Sequence, residues 1–135
     1  MEIKLLRKIN LIARYTLAFI FCYHGLVPKI LWLSPLEASL ANAHNLDAVI
    51  VSPIAGIFEI LLALSIVLFK NSLIPIYLAV ALLVGLLIDV MLIMPMLLIE
   101  AFNPVTTNLA SIVIAYFVFI THKYTIADNR VAEGL

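Results

Sequence analysis

Cysteine is almost absent from this chain: among 135 residues only Cys22 carries a thiol. One cysteine cannot form an internal disulfide or a C-x-x-C pair, so thiol–disulfide exchange within the chain is excluded. Charge is also scarce. Asp, Glu, Lys and Arg make up 12% of the residues against about a quarter in soluble domains, and the formal net charge is zero. No global field directs the protein to nucleic acid or to an acidic partner. Glycine occurs four times and tryptophan once.

What fills the space is apolar. Hydrophobic residues account for 65% of the chain, and the mean hydropathy is +1.20. A chain of this length is one domain and has too much surface for its volume to hide that many apolar side chains. The lipid bilayer must cover them, which makes residues 1–135 a single integral membrane domain.

Four continuous apolar runs stand out, at about 9–27, 49–69, 73–98 and 105–121. Each approaches the roughly 20 residues a spanning helix needs. They are continuous rather than alternating, which argues against a barrel. Short connections at 70–72 and 99–104 make neighbours antiparallel. The fold expected is an all-α antiparallel bundle of four transmembrane helices. Lys4, Arg7 and Lys8 before an apolar run resemble a cleaved signal, as does Ala41-Asn42-Ala43. Arg14 inside the run, and the distance of that Ala-x-Ala from its end, favour a retained first helix.

The helix ends carry signals. Asn71 or Ser72 can cap the third span with Pro75 in its first turn, and Asn103-Pro104 opens the fourth. Ser52-Pro53 offers the same start to the second, leaving Val49–Val51 extended, and Pro95 kinks or ends the third. In the long first connection, Ser34-Pro35-Leu36-Glu37 reads as a capping box whose two side chains satisfy each other's backbone donors. It predicts a short helix over about 35–44, on the membrane surface or over the bundle mouth.

Lysine and arginine give the orientation. With the amino terminus inside, inner segments hold Lys4, Arg7, Lys8, Lys70, Lys123 and Arg130, and outer segments hold only Lys29. Both termini are therefore expected in the cytoplasm, with the protein multi-pass in the cell (plasma or inner) membrane. Trp32 then suits the outer interface, and Lys29 snorkels to the headgroups. Lys29, Glu37, Glu100, Asn103 and Asn108 become candidates at the outer mouth.

Arg14, His24, Glu59 and Asp89 fall within the spans. Charges at that depth cost about 2.5–3.5 kcal/mol each and normally face inward in pairs. Helical rise places Arg14 about 7–8 Å inside the inner boundary, Glu59 near the middle, and His24 level with Asp89 in the outer half. The expected pairs are Arg14–Glu59 and His24–Asp89. Ser52, Gly56 and Ala63 beside Glu59, Ala81 and Gly85 below Asp89, and the Asn108–Ser111–Ala115 stripe suit close helix packing.

Arg14, the His24-Gly25-Leu26-Val27-Pro28-Lys29 stretch, Glu37, Gly56-x-x-Glu59 and Asn103-Pro104 with Asn108 together resemble the DoxX-like membrane proteins over about residues 10–122. That resemblance implies a four-helix membrane bundle. The family takes its name from a subunit of a thiosulfate:quinone oxidoreductase, most members have no assigned activity, and no catalytic residue carries over to this chain.

Three functional readings stay open. In one, the chain is a redox subunit binding a quinone or lipid-like molecule, with His24 exchanging a proton and Asp89 orienting it. In another, it is a non-enzymatic helper that stabilises a membrane-protein partner, or a homo-oligomer. In the third, Glu59 and Asp89 carry protons for transport. Haem needs a second axial ligand at the depth of His24, where neither His44 nor His122 lies. His24, His44, Glu37 and Glu100 lack the spacing of a metal site. The cofactor is thus open at quinone, with haem and metal not expected.

Overall fold

A computed structural model describes residues 2–132, with the side chains of Glu2, Thr125 and residues 127–132 outside that description, Arg130 among them. The chain runs through α1 (Glu2–Leu26), a π-helical turn (Val27–Leu31), α2 (Pro35–Ala43), α3 (Ala48–Leu68), α4 (Ile74–Ile93), a 3₁₀ turn (Pro95–Ile99) and α5 (Pro104–Ala132). Among the described residues, four stretches are long and apolar enough to cross a bilayer: Ile3–Leu31, Ala48–Leu68, Ile74–Ile93 and Pro104–Tyr124. The protein is an all-α, multi-pass membrane bundle, with α2 a short helix in its first connection.

The connection through α2 and the two shorter ones that follow place the four long helices up, down, up and down. α1 packs closely against α3 and α5, and α4 is held by α5 and more loosely by α3. Large apolar side chains cover the outside, with Phe19, Phe58 and Leu92 each more than two-thirds exposed. Lipid is the solvent such a surface requires.

The local stops and starts follow from named residues. Asp47 caps α3 by accepting a hydrogen bond from the Val49 amide at 2.9 Å. The helix thus begins at Ala48, before the Ser52-Pro53 start expected from sequence, and Pro53 lies inside it. Ser72 accepts from the Ile74 amide at 3.1 Å at the start of α4. Asn103 accepts from the Thr106 amide at 3.0 Å, with Pro104 as the first residue of α5. Pro95 has no amide hydrogen for the Met91 carbonyl; α4 ends at Ile93 and the chain tightens into the 3₁₀ turn.

The first span does not leave the bundle at Pro28. Proline has no amide hydrogen to give the His24 carbonyl, and its ring crowds the preceding turn. The chain widens by one residue instead. The Trp32 amide donates to the Val27 carbonyl at 3.0 Å, and the Ser34 amide to Pro28 at 2.9 Å. The helical path therefore continues to Leu31.

The apolar core is lopsided. Leu17 and Phe21 of α1, Ala63 and Ile66 of α3, Ala79 and Leu83 of α4, and Ala115 and Val118 of α5 fill the half nearer the termini. The other half, roofed by α2, is hollow. Asn45, at φ 58°, turns the chain out of α2, a left-handed position that asparagine tolerates.

Candidate functional site

The hollow half holds a cavity of about 340 Å³. Ile20, Phe21, Leu36, Leu40, Leu86 and Phe102 give it apolar walls, and α2 covers it with Leu36 and Leu40. The polar lining falls in two groups. His24, Lys29, Glu37 and Glu59 stand on one side; Asn103, Thr107, Asn108 and Ser111, from the start of α5, stand on the other.

Lys29 is the centre of the charged group. It is 8% exposed, and its Nζ donates to Glu59 Oε1 at 2.5 Å. The same ammonium lies 3.6 Å from a Glu37 carboxylate oxygen. Side chains on a helix tilt toward its amino terminus. From α1's continuation that direction leads into the bundle; from the antiparallel α3 it leads toward α2. Lys29 and Glu59 therefore lean toward each other.

Two glycines bring the backbones close enough. A Cβ on Gly25 would fall 2.5 Å from the Gly56 carbonyl oxygen, and one on Gly56 would collide with the Gly25 carbonyl. Only hydrogen fits on either residue, so α1 and α3 touch backbone to backbone one turn from the ion pair. Glu59 is itself buried, and its second oxygen, Oε2, has no hydrogen-bond partner in the protein.

Half of the capping box forms. Ser34 Oγ accepts from the Glu37 amide at 3.2 Å. The Ser34 amide bonds to Pro28 instead, which leaves the Glu37 carboxylate to Lys29. Burial raises the Glu37 carboxyl above its ordinary 4.5; Lys29 pulls it back down and Glu59 pushes it further up. The folded protein thus holds this proton to higher pH than the unfolded chain does. That contribution to stability is fully present below the ordinary value and is lost as pH rises through the raised one. Glu37→Gln removes the titration, so its melting temperature in detergent should fall less than the wild type's from pH 4.5 toward neutrality. Parallel curves for the two proteins would show that Glu37 does not carry this proton.

The expected pairs are not those the structure makes. Arg14 does not meet Glu59. Its side chain tilts toward the amino terminus of α1, away from α2, whereas Glu59 tilts toward α2. Arg14 is fully buried at the closed end, where its guanidinium donates to the carbonyls of Ile66 at 3.1 Å and Ser72 at 3.0 Å, with Phe69 at 3.5 Å. Asn10 Oδ1 accepts from Nε at 3.1 Å, and His122 Nδ1 lies 3.4 Å from Nη2. Asn10 also donates to the Val118 carbonyl and the Thr121 hydroxyl of α5, both at 2.9 Å.

His24 does not meet Asp89 either, because α1 and α4 sit diagonally in the bundle. Asp89 takes His44, at the end of α2, with Nε2 3.1 Å from its carboxylate, and the pair is more than a third exposed. Asp89 is therefore tied to the first connection rather than to His24. His24 lines the cavity instead, near enough to Glu59 and Lys29 to feel both charges. Lys29 does not snorkel outward as expected. Glu100 is exposed and outside the cavity lining, and Ala81 and Gly85 face outward rather than into a helix contact.

Of the remaining mouth candidates, Asn103 and Asn108 line the cavity, and Asn108 Nδ2 donates to the Leu83 carbonyl at 3.1 Å. Sequence reasoning passed over Thr107, one turn beyond Asn103, although that spacing puts the two on one face of α5. It also missed the buried role of Lys29. The apolar run Ile30-Leu31-Trp32-Leu33 beyond Pro28 was the available signal that the span continues.

Residues 18–116 match the model of the DoxX-like family, a range that contains every residue of the cavity wall and most of the chain. No curated protein and no solved structure matches the sequence. With four spanning stretches and this match in hand, the chain belongs to the DoxX-like family of membrane proteins.

Proposed function

We propose that this DoxX-like protein is a binding subunit of a membrane redox system, holding one ring-headed, lipid-like molecule of the quinone class in the cavity under α2. The observation that carries this reading is an apolar cavity closed on one side by the buried Lys29–Glu59 pair. Pockets for small organic ligands are mostly apolar with a few placed polar groups, and begin at about 300 Å³. The walls suit a ring and the start of an apolar tail, while His24, Lys29 and Glu59 supply groups that orient a polar head and exchange a proton with it.

The same reading puts the bundle in the plasma or inner membrane with both termini cytoplasmic. Lys4, Arg7, Lys8, Lys70, Lys123 and Arg130 belong to segments at the terminus end. Lys29, the one basic residue counted against them, is buried in an ion pair and leaves the asymmetry undiluted.

Mass spectrometry of small molecules retained by gently purified protein tests the proposal. A prenylated ring compound should accompany the wild type and be lost from Leu86→Trp, which fills the cavity and leaves the charged group in place. A wild type that retains no such compound, or retention indifferent to Leu86→Trp, overturns it.

A further inference from the structure

Most polar side chains of the cavity have a partner within the protein. Lys29 donates to Glu59 Oε1, and Glu37 lies 3.6 Å from the same ammonium. Ser111 and Thr107 have one hydroxyl hydrogen each, and both go to carbonyls of their own helix, Ser111 to Thr107 at 2.9 Å and Thr107 to Asn103 at 3.2 Å. Asn108 donates to Leu83, and Asn103 to the Glu100 carbonyl at 2.9 Å. Each of these five side chains thus has at least one donor bonded within the protein. Against them stands one deeply buried acceptor, Glu59 Oε2, which is the only buried side-chain polar atom among the described residues with no partner.

The geometry keeps this oxygen an acceptor. Oε1 of the same carboxylate receives the Lys29 ammonium at 2.5 Å in a charge-assisted bond, and Oε2 is left facing no donor. A buried acceptor without a donor is costly, and more so when charged. A carbonyl-only head group would leave Oε2 without a donor. A hydroxyl would bring the missing donor.

We infer that the cavity selects a head group that donates a hydrogen bond, a ring hydroxyl received by Glu59 Oε2, and therefore favours the reduced, hydroquinone form of its ligand over the quinone. This inference rests on the ring-head reading above and adds the identity of the recognised form. Glu59 is then a specificity-determining residue. Lys29 is a positioning residue that holds the carboxylate in place through Oε1.

Three probes of one shape separate the possibilities: a decyl-substituted hydroquinone, its quinone, and its dimethyl ether, which keeps the ring and oxygens but has no donor. Affinities are measured anaerobically with wild-type protein in lipid nanodiscs. The hydroquinone should bind at least about tenfold tighter than both other probes. Glu59→Gln presents an amide that can turn a donor toward the ligand, and should erase or reverse that preference. Equal affinities for the three probes in the wild type, or tightest binding of the quinone, overturn the inference and leave the ring-head reading standing. Binding of none of the three overturns the ring-head reading, and the inference falls with it. The wild-type series decides the matter even if Glu59→Gln does not fold.

Discussion

Replacing Lys29 with Met should destabilise the protein by about 3–5 kcal/mol, the cost of leaving a buried charge without its partner. The stranded charge is Glu59, 5% exposed, with neither carboxylate oxygen then holding a protein donor. The reverse substitution should cost less. After Glu59→Met, Lys29 keeps Glu37 at 3.6 Å, and its long stem can carry the ammonium toward the α2 face. The double replacement, Lys29→Met with Glu59→Met, should recover most of the loss, because two apolar chains of similar length fill the same space without desolvated charge. Reversible unfolding in mixed detergent micelles checks all three variants as a double-mutant cycle. A Lys29→Met protein as stable as the wild type would show that the pair is hydrated rather than buried. A double variant no better than Lys29→Met would show that shape, not charge, matters there.

The second large effect belongs to Arg14. The last carbonyls of a helix have no partner within it. Here the guanidinium supplies one for Ile66, and reaches Phe69 and Ser72 in the turn beyond α3. Cationic groups at a helix carboxyl end are also favoured by the helix dipole. Arg14→Met removes these donors at once and should cost about 3 kcal/mol or more, taking about 1–3 kcal/mol for each buried acceptor left unmade. Arg14→Lys keeps the charge but not the planar fork, so it should restore only a part. Thermal unfolding in detergent orders the three proteins: wild type, then Lys, then Met. A lysine variant that melts with the wild type would mean that charge alone suffices and that the fork geometry is irrelevant.

The architecture was largely legible because lipid imposes one strong rule. Backbone groups in hydrocarbon must be satisfied within the segment, so hydropathy alone separates spans from connections. Asn103-Pro104, Ser72 and Ser34 acted at helix starts through the chemistry their types imply. The pairing of charges was not legible from depth alone. Depth placed Arg14 and Glu59 within reach, but antiparallel neighbours aim their side chains in opposite directions. The order of helices around the bundle was equally hidden, and it separates His24 from Asp89. Pro28 misled in its own way: it reads as a helix end, while the structure widens the turn and carries Lys29 inside. The half-used capping box shows the same limit. Ser34 behaves as its motif requires, and Glu37 answers to a lysine that only the folded chain brings near.

The two fastenings of α2 differ in strength. At its start, Glu37 reaches a buried ammonium, and the Ser34 amide is bonded to the turn at Pro28. At its finish, His44 holds Asp89 in a pair open to solvent, worth about 0–1 kcal/mol and weakened by salt. Added salt therefore weakens the His44 contact and leaves the shielded Glu37 contact largely intact.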